Sequence, residues 1–155
     1  MFLIKRIGQS IHPKNSFIKN LIFITVYSIA LMVILAALSM MIYHYFPALK
    51  PGYDYASRYA LIVTLIIFAL LPAVYEELIF RKFLLNFLRK RLPDLKAVLL
   101  SSLIFAVFHM SVIQGIAAFI FGVFLAVIAI RTRSVIFCIY AHLLNNLLFI
   151  LWPRL

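Results

Sequence analysis

The stretch LIVTLIIFALLPAVYEELIFRKF, Leu61 to Phe83, decides how the chain is read. From Leu61 to Tyr75 it carries no charge, and then Glu76 and Glu77 stand side by side ahead of Arg81 and Lys82. The whole chain has four acidic residues, so half of them sit together at the end of a run suited to lipid. Pro72 lies inside that run and is expected to kink it just before the glutamates, opening a water-filled notch.

Working outward, other runs share this apolar character. Hydrophobic residues make up 66% of the 155, charged residues 12%, and the mean hydropathy is +1.13, which excludes an ordinary soluble domain. A bilayer-spanning helix needs about 20 mostly apolar residues. On that rule the sequence predicts an all-α, polytopic transmembrane bundle of about five spans, near residues 21–46, 59–80, 97–111, 114–130 and 134–152. We read residues 1–155 as one membrane domain, with an additional N-terminal helix at 21–46. Cys138 is the only cysteine, so disulfides and cysteine-type zinc sites are excluded, and its apolar surroundings assign it to packing.

The net charge of +11 does not point to nucleic acid, because the basic residues fall between apolar runs and not along one soluble face. With five spans, Lys5, Arg6, Lys14, Lys19, Arg81, Lys82, Arg89, Lys90, Arg91, Lys96, Arg131 and Arg133 share one side, leaving Lys50, Arg58 and Arg154 on the other. The positive-inside rule then predicts a multi-pass cell-membrane protein with a cytoplasmic N-terminus and an outward C-terminus. A signal peptide ending near LAALS, residues 35–39, competes for the first span, but its apolar run continues to Ile42, and a retained helix is favoured. His44, among Tyr43, Tyr45 and Phe46, reads as part of an interfacial aromatic belt, and His12 belongs to the polar N-terminal segment. Pro47, Pro51 and Gly52 mark the first outer loop, and RLPDLK at 91–96 a basic inner loop. No internal repeat, low-complexity tract or glycine-rich phosphate loop occurs.

Few polar side chains remain inside the predicted spans: Glu76 and Glu77, His109, and His142 with Asn145 and Asn146. A charge there costs about 2.5–3.5 kcal/mol on insertion scales, so each needs a partner, a cavity or a site. Glu77 and Arg81 have the i, i+4 spacing of a helical ion pair. Glu76 points about 100° away and is free to face the bundle interior. Alternatively both acids solvate the helix end at the headgroups. Phe105 with His109, and His142 with Asn146, each share a helical face. A lone histidine on an apolar helix is more often a packing residue than a catalyst, but two of them with an acid and an amide favour a shared site. With Arg81, Ser134 and Ala97 taken as the inner boundary, Glu76 lies about 8 Å deep, His142 about 12 Å and His109 about 18 Å.

A glutamate beside a neutral imidazole, shielded from bulk water, can hold a water molecule and take its proton. A second histidine with an asparagine one turn later offers donors to an oxyanion. The combination describes hydrolysis of an acyl bond, and a peptide bond above all. Three patterns carry a family resemblance: EELIFR at 76–81 fits E-E-x-x-x-R, FAVFH at 105–109 fits F-x-x-x-H, and HLLNN at 142–146 fits H-x-x-x-N. Together they resemble the CAAX prenyl protease and bacteriocin-processing (CPBP, Abi) family of intramembrane proteases, over a core of about 57–152.

The resemblance implies an intramembrane endopeptidase acting on a membrane-associated peptide or protein. It implies that Glu76 and His109 activate the water, that His142 and Asn146 stabilise the oxyanion, and that Glu77, Arg81 and Phe105 support them. Many family members carry additional helices, and the compact chain fits the bacterial relatives better. A glutamate and two histidines are also the ligand types of a catalytic zinc. The Asn146 amide is a poor zinc ligand and a good oxyanion donor, so a metal-free mechanism is favoured and the metal stays open. Two other classes compete: a proton- or metal-coupled transporter, which would use the same groups as a relay, and a non-catalytic immunity-type membrane protein. Paired halves of the transporter kind are not visible.

Overall fold

A computed structural model describes residues 15–49 and 59–151. His12, Pro51, Gly52, Lys5, Arg6, Lys14, Lys50, Arg58 and Arg154, which bear on the topology reading, lie outside the described residues. Five helices make the bundle: α1 (Asn15–Tyr45), α2 (Leu61–Arg89), α3 (Asp94–Val107), α4 (Val112–Thr132) and α5 (Val135–Leu151). Among the described residues there is no strand.

Among the described residues three helices, α1, α2 and α4, are long and apolar enough to cross a bilayer, and α5 is a shorter apolar helix of 17 residues. The third expected span falls furthest short. Where 97–111 was expected, α3 has 14 residues. At 1.5 Å per residue it reaches about 21 Å, against a hydrocarbon core of about 30 Å. It stops because the ladder tightens: His109 N–H bonds Ala106 O and Met110 N–H bonds Val107 O, with Met110 in the left-handed region at φ 49°. His109 therefore sits in the turn beyond α3 and not on the helix, as its spacing from Phe105 had suggested.

The second expected span, 59–80, is too short by nine residues at its far end, because α2 runs on to Arg89. Arg81 is consequently no boundary residue. It is 2% exposed, eight residues and so about 12 Å inside the helix end, which displaces the depth ruler anchored on it. It also leaves the charge tally, reducing twelve to eleven. At Pro72 the distortion takes the form of a π-helical turn, Ile66–Leu70, just ahead of the ring. Proline has no N–H to offer the Phe68 carbonyl, and the wider turn absorbs that missing rung. A second π segment, Leu78–Leu85, follows immediately after Glu77.

Two antiparallel pairings bring the site elements together. Helices α3 and α4 form a tight hairpin whose contact face carries Ser101 and Ser102, both wholly buried, against Gly122. A Cβ at Gly122 would meet Phe105 Cδ1 and Ser102 Cβ at 3.2 Å, so the missing side chain permits this approach. Helix α5 lies against α2 and α4. Helix α1 buries a single stripe, Ile24, Ser28 and Leu35, and a 2.8 Å hydrogen bond between Thr25 and Tyr140 hydroxyls pins it to α5. Its other faces are apolar and exposed, as lipid contact requires. Exposed His44 and Tyr45, ring centroids 5.2 Å apart, stand at its end, and Cys138 is buried with its thiol on the Leu125 carbonyl.

Candidate active site

Helix α2 supplies Glu76, Glu77 and Arg81, α5 supplies His142 and Asn146, and α3 with its terminal turn supplies Phe105 and His109. The deepest element is a buried chain of charge. Arg81 Nε donates to Glu77 Oε2 at 2.9 Å, both side chains being sealed, and His142 Nδ1 meets Glu77 Oε1 at 2.8 Å. A carboxylate held by a guanidinium accepts only, so Nδ1 of His142 carries the hydrogen. In its neutral form the ring then presents Nε2 as an acceptor. That nitrogen stands 4.0 Å from Glu76 Oε2, beyond direct hydrogen bonding.

The two glutamates differ in the way their spacing suggested, but with their depths exchanged. Glu77 pairs with Arg81 and is 0% exposed, while the Glu76 side chain keeps 20% of its surface. Solvation of a helix end does not describe Glu77, which is twelve residues from the end of α2. Nor is Glu77 merely Arg81's partner, since it also fixes the His142 ring.

His109 is tied down by its own turn. Its Nδ1 lies 3.0 Å from the Phe105 carbonyl, which can only accept, so this ring too leaves Nε2 as the free acceptor. Asn146 Nδ2 donates to the Ala69 carbonyl at 3.4 Å, within the π turn that precedes Pro72. An amide nitrogen has two hydrogens, so one donor remains. Asn145 reaches Asn146 Oδ1 at 3.5 Å.

Phe105 is the aromatic floor under these groups. It is 1% exposed, edge-on to Phe80, His109 and His142 at centroid distances of 5.1, 4.9 and 6.0 Å, and Arg81 Cζ lies 4.9 Å from its ring centre. Residues that the sequence reading did not single out complete the setting. Phe121 packs edge-on to His142 at 5.7 Å, and Gly122 leaves room for Phe105. Gly122 had a signal, being one of four glycines and lying mid-helix; Phe121, among 15 phenylalanines, had none.

A zinc site was left open by the sequence. Among the described residues no three His, Cys, Asp or Glu side chains converge as a ligand set. The Glu77 carboxylate is spent on Arg81 and His142.

Residues 58–148, more than half of the chain, match the family described as type II CAAX prenyl endopeptidase Rce1-like. No curated protein and no solved structure matches.

Proposed function

This chain belongs to the Rce1-like family of type II CAAX prenyl endopeptidases, and we propose that it is an intramembrane endopeptidase that hydrolyses a peptide bond in a membrane-associated protein or peptide through Glu76 and the two imidazoles. The observation that carries the reading is the Glu76–His142–Glu77–Arg81 chain, in which an interior charge relay ends on a carboxylate that keeps 20% of its surface exposed. A gap of 4.0 Å between two polar groups is one that a single water bridges.

In this reading the water donates one hydrogen to Glu76 and the other to a histidine Nε2, so that an oxygen lone pair faces the scissile carbonyl. As oxygen attacks carbon, the water's proton passes to Glu76, and the carbonyl π electrons move onto the oxyanion. The remaining Asn146 N–H supports that charge. Glu76 then gives its proton to the leaving amine nitrogen as the C–N bond breaks. Glu77 keeps His142 in one tautomer and orientation throughout, and Arg81 holds Glu77 in place. This scheme needs no metal.

The reading keeps the bilayer of a bacterial cell membrane as the setting, with the N-terminus cytoplasmic and the C-terminus outward. A proton- or metal-coupled transporter and an immunity-type binding protein are disfavoured by the peptidase family to which the chain belongs. The test compares the terminal peptides of membrane proteins from cells holding the native chain and the Glu76→Gln variant. One trimmed terminus is expected to vanish with the variant while its membrane insertion persists. Identical sets of termini would defeat the proposal.

A further inference from the structure

Where α2, α4 and the start of α5 meet, a cavity of about 450 Å³ opens at the end of the bundle away from His109. That is the size of small-ligand sites in general, about 300–1,000 Å³. Its polar wall is Arg81, Lys82, Asn86, Arg89, Arg133 and Ser134, with no carboxylate among them. Asp94 offsets Arg89 from outside the wall, at 2.8 Å. Lys82 and Arg133, among the described residues, have no carboxylate partner.

Two features separate this cavity from an ordinary basic membrane face. Arg81, on its wall, is buried and spends only Nε on Glu77; Nη1 and Nη2 have no hydrogen-bond partner. Its guanidinium is sealed from solvent, so it acts on the cavity through its charge from beneath the wall and not as a direct donor. Arg133 holds φ at 54°, a left-handed position that ordinarily falls to glycine, yet the sequence places a cation there, on the cavity rim. The strain of such a residue persists where function asks for it.

We infer that this cavity binds a phosphate-type oxyanion, held by Lys82 and Arg133 at the rim with Arg81 beneath. A tetrahedral, multiply charged anion suits several converging cations and the guanidinium fork better than a lone carboxylate does. The cavity lies at the ends of α2 and α4, where lipid phosphates lie. The phosphate of an anionic headgroup and free inorganic phosphate offer the same chemistry. Because Arg81 also grips Glu77, occupancy of the cavity bears on the His142 ring, a consequence that rests on the function proposed above; binding itself does not.

The test is thermal unfolding of the full chain in neutral detergent, at constant ionic strength, in two arms. One titrates inorganic phosphate; the other compares micelles doped with phosphatidylglycerol or with phosphatidylcholine. The midpoint is expected to rise saturably in at least one arm, and the responding arm identifies the source. In Lys82→Gln and Arg133→Gly half-saturation moves up roughly tenfold, the loss of one charge-assisted contact. The glycine relieves the backbone at this position, so that variant folds at least as well without ligand. Lys90→Gln, outside the wall, keeps the native response. No rise in either arm, or a Lys90→Gln effect equal to that of Arg133→Gly, overturns the inference. Since peptide release is not read, failure here is distinct from failure of the protease reading.

Discussion

Replacing Arg81 with methionine removes one half of an ion pair sealed inside the bundle, with Nε 2.9 Å from Glu77 Oε2. Breaking a buried pair costs about 3–5 kcal/mol, because the surviving charge has no solvent to turn to. Two unpartnered Nη groups disappear with the guanidinium, which returns about 1–3 kcal/mol. The net expectation for Arg81→Met is a loss of about 2 kcal/mol. Removing both charges, as Glu77→Leu with Arg81→Met, leaves no stranded charge, since apolar replacements of a buried pair are often neutral, and the loss that remains is about 1–3 kcal/mol for the buried His142 Nδ1–H left without an acceptor. Peptide cleavage does not survive in the double variant, because His142 Nδ1 has lost its acceptor. Unfolding in mixed micelles titrated with dodecyl sulfate measures the first quantity, and product formation the second. A double variant as unstable as the losses of Glu77→Leu and Arg81→Met added together would refute mutual compensation, and an active double variant would refute the role given to Glu77.

Asn146→Ala is expected to slow cleavage by about 10²–10³-fold, the usual effect of losing an oxyanion donor. Its long bond to Ala69, 3.4 Å, leaves little stability to lose, less than about 1 kcal/mol, so rate and unfolding midpoint measured together separate the two roles. Gly122→Leu drives new atoms against Phe105 and Ser102, and about 1–3 kcal/mol of overpacking should appear as a lowered midpoint; an unchanged midpoint speaks against the close approach of α3 and α4. Treatment with EDTA or phenanthroline leaves cleavage intact in the metal-free scheme, whereas loss restored by added zinc contradicts it.

The helical membrane bundle was legible because hydropathy is a property of whole segments and survives errors at their ends. Helix ends were not. Basic Arg81 looked like a boundary since a cation in a span is costly, but α2 offsets that cost one turn earlier with Glu77, and the helix continues to Arg89. The i, i+4 rule identified that pair, while the depth of Glu77 relative to Glu76 depended on the rotation of α2 against α5, which only tertiary contacts fix. His109 was assigned to a helix by its spacing from Phe105. The left-handed Met110 that closes α3 has no signature in the sequence, where glycine would have given one. The third pairing, His142 with Glu77 across 65 residues, had no local signal at all.

The most direct measurement is the cleavage rate of a synthetic membrane-anchored peptide, bearing the terminus found to depend on the chain, by native protein and Glu76→Gln in liposomes. Gln keeps the side chain's shape and removes the base, so the rate should fall by about 10²–10⁴-fold with unfolding midpoint preserved. A Glu76→Gln protein that cuts the peptide at the native rate would contradict the account.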